Sequence, residues 1–164
     1  MKQTSVDKQP DNINTSFFED KLKIYANVFE NLTEHSLLLE LLPLFDEQVF
    51  FKDPFNQISG KNAVSKLFKH MFLTLHAPKF SVKHFAISED IGYLHWNFDF
   101  YLSKSDFLNQ HNLKTIDGMS QVKFNEQGLV EKHIDYWDSG EYVYRQIPIL
   151  GWFIKQIEKR LSAA

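Results

Sequence analysis

The sequence lacks cysteine and any long apolar run. With no cysteine among its 164 residues, the chain can form no disulfides and has no thiol nucleophile, and a cytoplasmic location is expected. No apolar run approaches the roughly 20 residues that cross a bilayer, so no membrane-spanning segment is predicted. The first sixteen residues are polar and lack the apolar segment of a secretory signal. We therefore expect no export signal.

Basic charge and several chemical signatures are also missing. The formal net charge is −3, so the chain lacks the basic footprint of a nucleic-acid-binding protein. Its seven histidines form neither an HxH nor an HExxH pair. The sequence contains no nucleophile elbow, phosphate loop or dinucleotide fingerprint. We therefore expect no metal site, no cofactor and no nucleic-acid partner.

Aromatic residues are abundant, with 16 phenylalanines and an aromatic share of 15%. So many rings require a large interior, or an interior that contains a cavity. The stretch VFFKDPF, residues 49–55, sets one carboxylate, Asp53, among these rings. Burying an ionised carboxylate without partners is costly. Asp53 is therefore either a turn former, as Asp-Pro dipeptides often are, or a base held in an apolar pocket.

Apolar periodicity changes from helical to alternating near Pro78. Thr15 or Ser16 is a candidate cap for the first helix and Thr33 for the second. The predicted helices cover residues 15–32, 33–45, 61–75 and 147–161, and the predicted strands cover residues 48–55, 79–88, 93–103, 113–124 and 129–138. This order predicts an α+β fold in which helices pack on one face of a curved sheet.

The order of predicted elements, together with the stretches VFFKDPFNQISG and GLVEKHIDYWD, resembles the nuclear transport factor two-like superfamily. The nearest branch is the SnoaL-like one, beside ketosteroid isomerases and limonene-epoxide hydrolases. The resemblance covers residues 17–146 and implies a cystatin-like cone, whose N-terminal helices and mostly antiparallel sheet enclose an apolar pocket. It implies one domain over residues 15–146, on which a C-terminal amphipathic helix, 147–164, packs. The polar composition of residues 1–14 predicts a disordered tail.

The resemblance also nominates catalytic residues. Asp53 stands where ketosteroid isomerases carry their base, and Tyr25 matches their oxyanion tyrosine. Asp99 and Asp135 match the two acids of limonene-epoxide hydrolases. This sequence departs from both patterns, because Ser120 replaces the isomerases' protonated aspartate and the hydrolases' arginine is also replaced. Expected ligand-binding residues are Phe29, Phe51, Asn97, Tyr101, Ser120, His133 and Trp137.

By this assignment the mixed face of strand 91–102 lines the pocket. Its apolar face, formed by Trp96, Phe98 and Phe100, is then exposed, and such a patch implies a partner. We therefore expect a homodimer through these three residues. The C-terminal helix resembles a membrane-surface helix, but the acidic chain offers little attraction to membranes. We expect this helix to pack over the pocket mouth or across the dimer.

Two functions fit these observations. The first is an isomerase- or cyclase-type acid–base enzyme that uses Asp53 on a small to medium apolar ligand. The second is a non-catalytic protein that binds a lipid-like or aromatic molecule. Because the superfamily contains both enzymes and binders, the resemblance leaves the choice open.

Overall fold

The computed structural model describes residues 12–162, and the first helix begins at the start of this range. Helix α1 covers Asn12–Glu30. Thr15 and Ser16, predicted as caps, therefore lie inside the helix, and the predicted tail falls outside the described residues except for its last three. Thr33 does cap the next helix, because its Oγ1 accepts a hydrogen bond from the backbone N–H of Ser36 at 3.0 Å.

The remaining elements follow the predicted order, with short additions. They are α2 Glu34–Ser36, a π turn Leu37–Leu41, a 3-10 turn Leu42–Leu44, β1 Phe45–Lys52, β2 Gln57–Ser59, α3 Lys61–Thr74, β3 His76–Ser88, β4 Ile91–Tyr101, α4 Lys104–Leu108, β5 Lys114–Phe124, β6 Val130–Trp137, α5 Ser139–Tyr142, a 3-10 turn Tyr144–Gln146 and α6 Pro148–Leu161. The predicted α+β fold is confirmed. Across residues 12–162, no helix is both long and apolar enough to cross a bilayer.

The strands form one curved sheet in the order β2-β1-β6-β5-β4-β3. Strand β1 runs parallel to β6, and the other neighbours are antiparallel. The predicted turn NEQG joins β5 to β6. There Gly128 has φ 75°, a conformation that favours glycine, and its N–H donates to the carbonyl of Asn125 at 2.8 Å. These hairpins fix the register of the long strands.

Helices α1 and α3 cover the concave face of the sheet, and the core lies between them. Helix α1 packs on β3 and β4. The absence of a side chain at Gly92 permits this approach, because a Cβ there would lie 2.5 Å from Leu22 Cδ1. Helix α3 packs against β1 and β3, where Val64 and Phe68 are buried. The concave face is therefore the apolar face of the sheet.

Helix α6 packs mainly on the 3-10 turn that precedes it. Arg145 Nε donates to Glu158 Oε1 at 2.9 Å, and Gly151 is buried against the backbone of Arg145. Large apolar side chains of the helix are exposed, including Ile149 at 76% and Phe153 at 55%. The residues that line the cavity described below end at Val143. No described residue of α6 is among them, and packing of this helix over the pocket mouth or across a dimer stays a prediction.

Candidate functional site

A cavity of about 520 Å³ lies between the concave face of the sheet and helices α1 and α3. Rings and aliphatic chains form most of its wall, and they include Phe51, Phe68, Phe80, Trp96 and Phe98. The volume falls within the range of small-molecule sites, which are typically apolar clefts with a few placed polar groups. The polar groups in this wall are therefore the candidates for chemistry.

Three polar side chains from β5 and β6 meet in the cavity wall. His133 and Asp135 are two residues apart on β6 and so share its inner face, and Ser120 pairs with Asp135 across the two strands. His133 Nε2 lies 2.7 Å from Asp135 Oδ1, and Ser120 Oγ donates to the same oxygen at 2.5 Å. One oxygen of Asp135 is therefore held by two neighbouring side chains.

The hydrogen bonds continue outward from both of these side chains. The Tyr25 hydroxyl, on α1, lies 2.8 Å from His133 Nδ1, and Trp96 Nε1 donates to Ser120 Oγ at 2.8 Å. When the neutral imidazole carries its proton on Nε2, Tyr25 donates to His133 and His133 donates to Asp135. Two chains of hydrogen bonds, one through His133 and one through Ser120, then end on Asp135. Burial raises the pKa of the Tyr25 phenol well above its ordinary value, and the charge of Asp135 adds to this effect. Tyr25 therefore keeps its proton.

Two phenylalanines fix the orientation of the His133 ring. The ring is stacked on Phe51 with centroids 4.8 Å apart and an interplanar angle of 5°. Phe29 lies nearly parallel to it at 5.7 Å. His133 is only 2% exposed, so its hydrogen bonds to Tyr25 and Asp135 are shielded from water. Packing and hydrogen bonding together hold the imidazole in one position.

The second carboxylate oxygen of Asp135, Oδ2, accepts no hydrogen bond from the described residues. The hydrogen bonds of the carboxylate within residues 12–162 are all to Oδ1. Every fully buried side-chain nitrogen or oxygen in the same range has a hydrogen-bond partner, so Oδ2 is accessible. Since Asp135 lines the cavity, Oδ2 offers an unpaired carboxylate oxygen to a molecule bound there.

Asp53 also borders the cavity, but its oxygens are used by the turn that follows β1. Oδ1 accepts from the backbone N–H groups of Phe55 and Asn56 at 2.7 and 2.6 Å. The side-chain amide of Asn56 donates to both oxygens, at 3.0 and 2.9 Å. The geometry therefore favours the turn-forming role that the Asp-Pro dipeptide suggested.

Tyr25 occupies a different place from the one predicted. It was expected to donate to an oxyanion in the pocket, but it is only 1% exposed, and the cavity wall on its side is formed by its neighbours Phe29 and His133. Its hydroxyl is used by His133. Tyr25 therefore reaches the site only through the imidazole.

The predicted orientation of β4 is wrong. Trp96, Phe98 and Phe100 line the cavity, whereas Asn97 and Asp99 lie on the opposite, convex face. The physical reason is burial, since the concave side faces two helices and takes the apolar residues. These three residues are packed inside the chain, so they do not form the exposed patch from which a homodimer was predicted.

The convex face gives its polar residues other partners. Asp99 Oδ1 accepts from the Thr115 hydroxyl at 2.5 Å. The Tyr101 hydroxyl donates to Gln110 Oε1 at 3.1 Å, and its ring packs on Phe107 of α4. The predicted group of three aspartates is therefore not assembled in the cavity. Within residues 12–162, no three His, Asp, Glu or Cys side chains are close enough to hold a metal ion.

The other predicted ligand-binding residues do line the cavity, and one important residue was missed. Phe29, Phe51, Ser120, His133 and Trp137 are in the wall. Trp96 was assigned to the outside, although its N–H holds Ser120. Its indole lies over Gly118, its partner on β5, where any Cβ would clash with the ring. The tryptophan in an otherwise apolar strand face was the signal that could have identified it.

Comparisons with known proteins agree with this architecture. No curated protein shows significant sequence similarity to the chain. The structure is similar to an NTF2-like protein from Exiguobacterium sp. 255-15 at 18% identity and a TM-score of 0.59, covering 72% of this chain and 98% of that one. These values show a shared fold.

Two further solved structures share the fold. An LEH-like epoxide hydrolase from M. tuberculosis is 9% identical with a TM-score of 0.61, covering 78% of this chain and 87% of that one. A protein assigned to the SnoaL-like polyketide cyclases, from Shewanella putrefaciens CN-32, is 14% identical with a TM-score of 0.61, covering 80% of this chain and 96% of that one. The model of the SnoaL-like domain family matches residues 26–133, more than half of the sequence. This chain therefore belongs to the SnoaL-like domain family.

Proposed function

We propose that this protein is an acid–base enzyme in which Asp135 is the base. Its substrate is a small to medium apolar molecule that carries a carbonyl or a hydroxyl group. The observation that supports this proposal is the state of the Asp135 carboxylate, which has Oδ1 held by two donors and Oδ2 accessible in an apolar cavity. The proposal assigns to Asp135 the role that the sequence assigned to Asp53.

The chemistry that suits this site is proton transfer. A positioned carboxylate can take a proton from a carbon beside a carbonyl and return it at another atom. Isomerisation and aldol-type ring closure both begin with such a step. The apolar walls would hold the hydrocarbon part of the substrate, and Asp135 would act on its polar part.

His133, Ser120 and Tyr25 act as positioning residues. Each donor onto Oδ1 restricts rotation of the carboxylate, so Oδ2 keeps one direction relative to a bound molecule. Holding a catalytic group in a productive orientation contributes strongly to rate. The stacking of His133 on Phe51 makes this positioning rigid.

A second candidate function is binding without catalysis, of a lipid-like or aromatic molecule. It is favoured by the largely apolar wall and by the engagement of Asp53 in a turn, which leaves Asp135 without a second free acid in the described lining. In this alternative Asp135 Oδ2 would accept a hydrogen bond from a hydroxyl of the ligand.

A homodimer and a cytoplasmic location stay predictions of the sequence.

The test begins with native mass spectrometry of the purified protein and organic extraction of any bound compound. That compound, or a panel of apolar ketones if none is bound, is then incubated with the protein in deuterium oxide. Deuterium incorporation or conversion reports proton transfer. Asp135→Asn keeps the shape and removes the base, and should lower the rate by about 10²–10⁴-fold.

Two matched variants locate the effect. Asp99→Asn, on the convex face, should leave the rate unchanged, and Asp53→Asn should reduce it only a few-fold. Full activity of Asp135→Asn together with loss in Asp53→Asn would return the role of base to Asp53. A bound compound that the wild-type protein neither exchanges nor converts would support the binding function.

A further inference from the structure

Helix α6 carries an apolar face that the rest of the chain leaves uncovered. Phe153, Ile157 and Leu161 are 55%, 57% and 80% exposed. At about 100° per residue, they share one side of the helix with Ile149 and Leu150. Gly151 and Glu158, which contact Arg145, lie on another side. The helix therefore attaches to the domain by one side and presents a separate apolar stripe to its surroundings.

The charges of α6 differ in sign from those of the whole chain. The helix has three cations, Lys155, Lys159 and Arg160, and one anion, Glu158, which gives a net charge of +2, against −3 for the chain. Glu158 is paired with Arg145. The three cations form no ion pair with residues 12–162. An anionic surface would complement them.

We propose that α6 binds the surface of an anionic lipid bilayer. A helix with an apolar stripe, a basic polar side and aromatic residues such as Trp152 and Phe153 lies in the plane of a membrane interface. The long side chains of Lys155 and Lys159 reach the headgroups while their stems cover apolar surface. The sequence-based expectation placed this helix against its own domain, and its exposed apolar face is the observation that changes it.

A bilayer suits this face better than a second copy of the chain. Two copies meeting through α6 would bring together two helices that each carry a net charge of +2, with Arg160 on the same side as the stripe. Anionic headgroups would instead neutralise this charge. The stripe lies on a single helix and is therefore convex. A lipid bilayer can deform around a convex surface.

The turn on which α6 packs lies beside the cavity mouth. Phe55 lines the cavity and is 53% exposed, so it stands at the opening. Its ring lies 6.2 Å from that of Tyr144, which begins the turn on which α6 packs. The turn that carries α6 is therefore in contact with a residue of the cavity mouth.

The test is co-sedimentation of the full chain with vesicles of phosphatidylcholine, with or without phosphatidylglycerol. We expect binding to the anionic vesicles and about a hundredfold weaker binding to neutral ones, because three cations contribute. Replacing Phe153, Ile157 and Leu161 with Ser should reduce binding at least tenfold. Replacing Lys155, Lys159 and Arg160 with Gln should remove the preference for phosphatidylglycerol.

A matched triple variant controls for general loss of apolar surface. Leu39, Leu73 and Leu108 are 63%, 79% and 67% exposed on other elements, and their replacement with Ser should leave vesicle binding unchanged. Circular dichroism checks that the variants stay folded. Absence of sedimentation with anionic vesicles, or equal loss in both triple variants, would overturn the proposal. A dimer in solution that only the α6 variant dissociates, without vesicle binding, would instead identify a second copy as the occupant.

Discussion

Asp53 and Asp135 border the same cavity, but their neighbours leave them different capacities. The turn after β1 uses both oxygens of Asp53, through the backbone N–H groups of Phe55 and Asn56 and the amide of Asn56. Asp135 has one oxygen held by His133 and Ser120 and the other open. The donors around a carboxylate, more than the apolar sequence around it, therefore determine which chemistry it can perform.

The largest expected difference between the surroundings of Asp135 and those of Asp53 is in their contribution to the free energy of unfolding. His133→Ala would leave a cavity between two rings and remove partners from Tyr25 and Asp135, and should lower the free energy of unfolding by about 3 kcal/mol or more. Asp53→Ala removes a side-chain cap from a partly exposed turn and should cost about 1 kcal/mol. Urea denaturation measures both. Equal losses would show that the two aspartates stand in comparable networks.

A smaller effect is expected at the outer end of the His133 branch. Tyr25→Phe leaves His133 Nδ1 without its donor and should lower the free energy of unfolding by about 1–3 kcal/mol.

The same variant should also change how the stability of the protein depends on pH in the alkaline range. Because the pKa of Tyr25 is raised in the folded state, its contribution is complete below the unfolded pKa of about 10 and declines as the pH rises from there to the folded pKa.

The alkaline response can be checked by urea midpoints measured between neutral pH and pH values above the ordinary tyrosine pKa. The wild-type protein should lose stability more steeply than Tyr25→Phe in that range. Tyr136→Phe is the matched control, since Tyr136 is 56% exposed, and it should keep the wild-type slope. An identical slope in all three proteins would mean that Tyr25 ionises as easily in the folded chain as in the unfolded one.

The smallest effect is expected at the other end of the network. Trp96→Phe keeps a ring over Gly118 but removes the donor to Ser120 Oγ, and should cost about 1 kcal/mol. Ser120 would then hold Asp135 less firmly, so kcat on an identified substrate should fall more than KM changes. Phe98→Leu changes the same wall without touching the network. If it altered kcat as much as Trp96→Phe, the wall's shape would explain the effect.

Much of the fold could be predicted from the sequence, because the long elements have clear periodicity. The helix around Leu22 and Phe29 and the four long strands have enough residues to show their period. Strand β2 and helix α4 lie between the predicted elements, because three and five residues are too few to establish a period. The start of α1 was placed too late because two residues that cap helices well, Thr15 and Ser16, stand within its first turns.

The site was predicted only in part, and the errors have a common origin. The resemblance nominated both His133 and Asp135 for the pocket, and the structure brings them together on one face of β6. The face of β4 was assigned by resemblance to enzymes with polar strand residues, although Trp96 and Phe98 carried more apolar surface than Asn97 and Asp99 on the other side. Burial decided the orientation. Hydrogen bonds from Asn56 to Asp53 could not be foreseen from spacing alone.

The three tryptophans give the molecule a built-in optical reporter. Trp96 is 5% exposed, is hydrogen-bonded to Ser120 and lines the cavity together with Trp137, while Trp152 is 57% exposed. Indole emission shifts to longer wavelength in polar surroundings, so the buried Trp96 should emit at a shorter ultraviolet wavelength than the exposed Trp152. An aromatic molecule entering the cavity would quench the emission of Trp96 and Trp137, and contact of α6 with lipid would shift the emission of Trp152 to shorter wavelength. Unlabelled protein could therefore report each event by its own fluorescence.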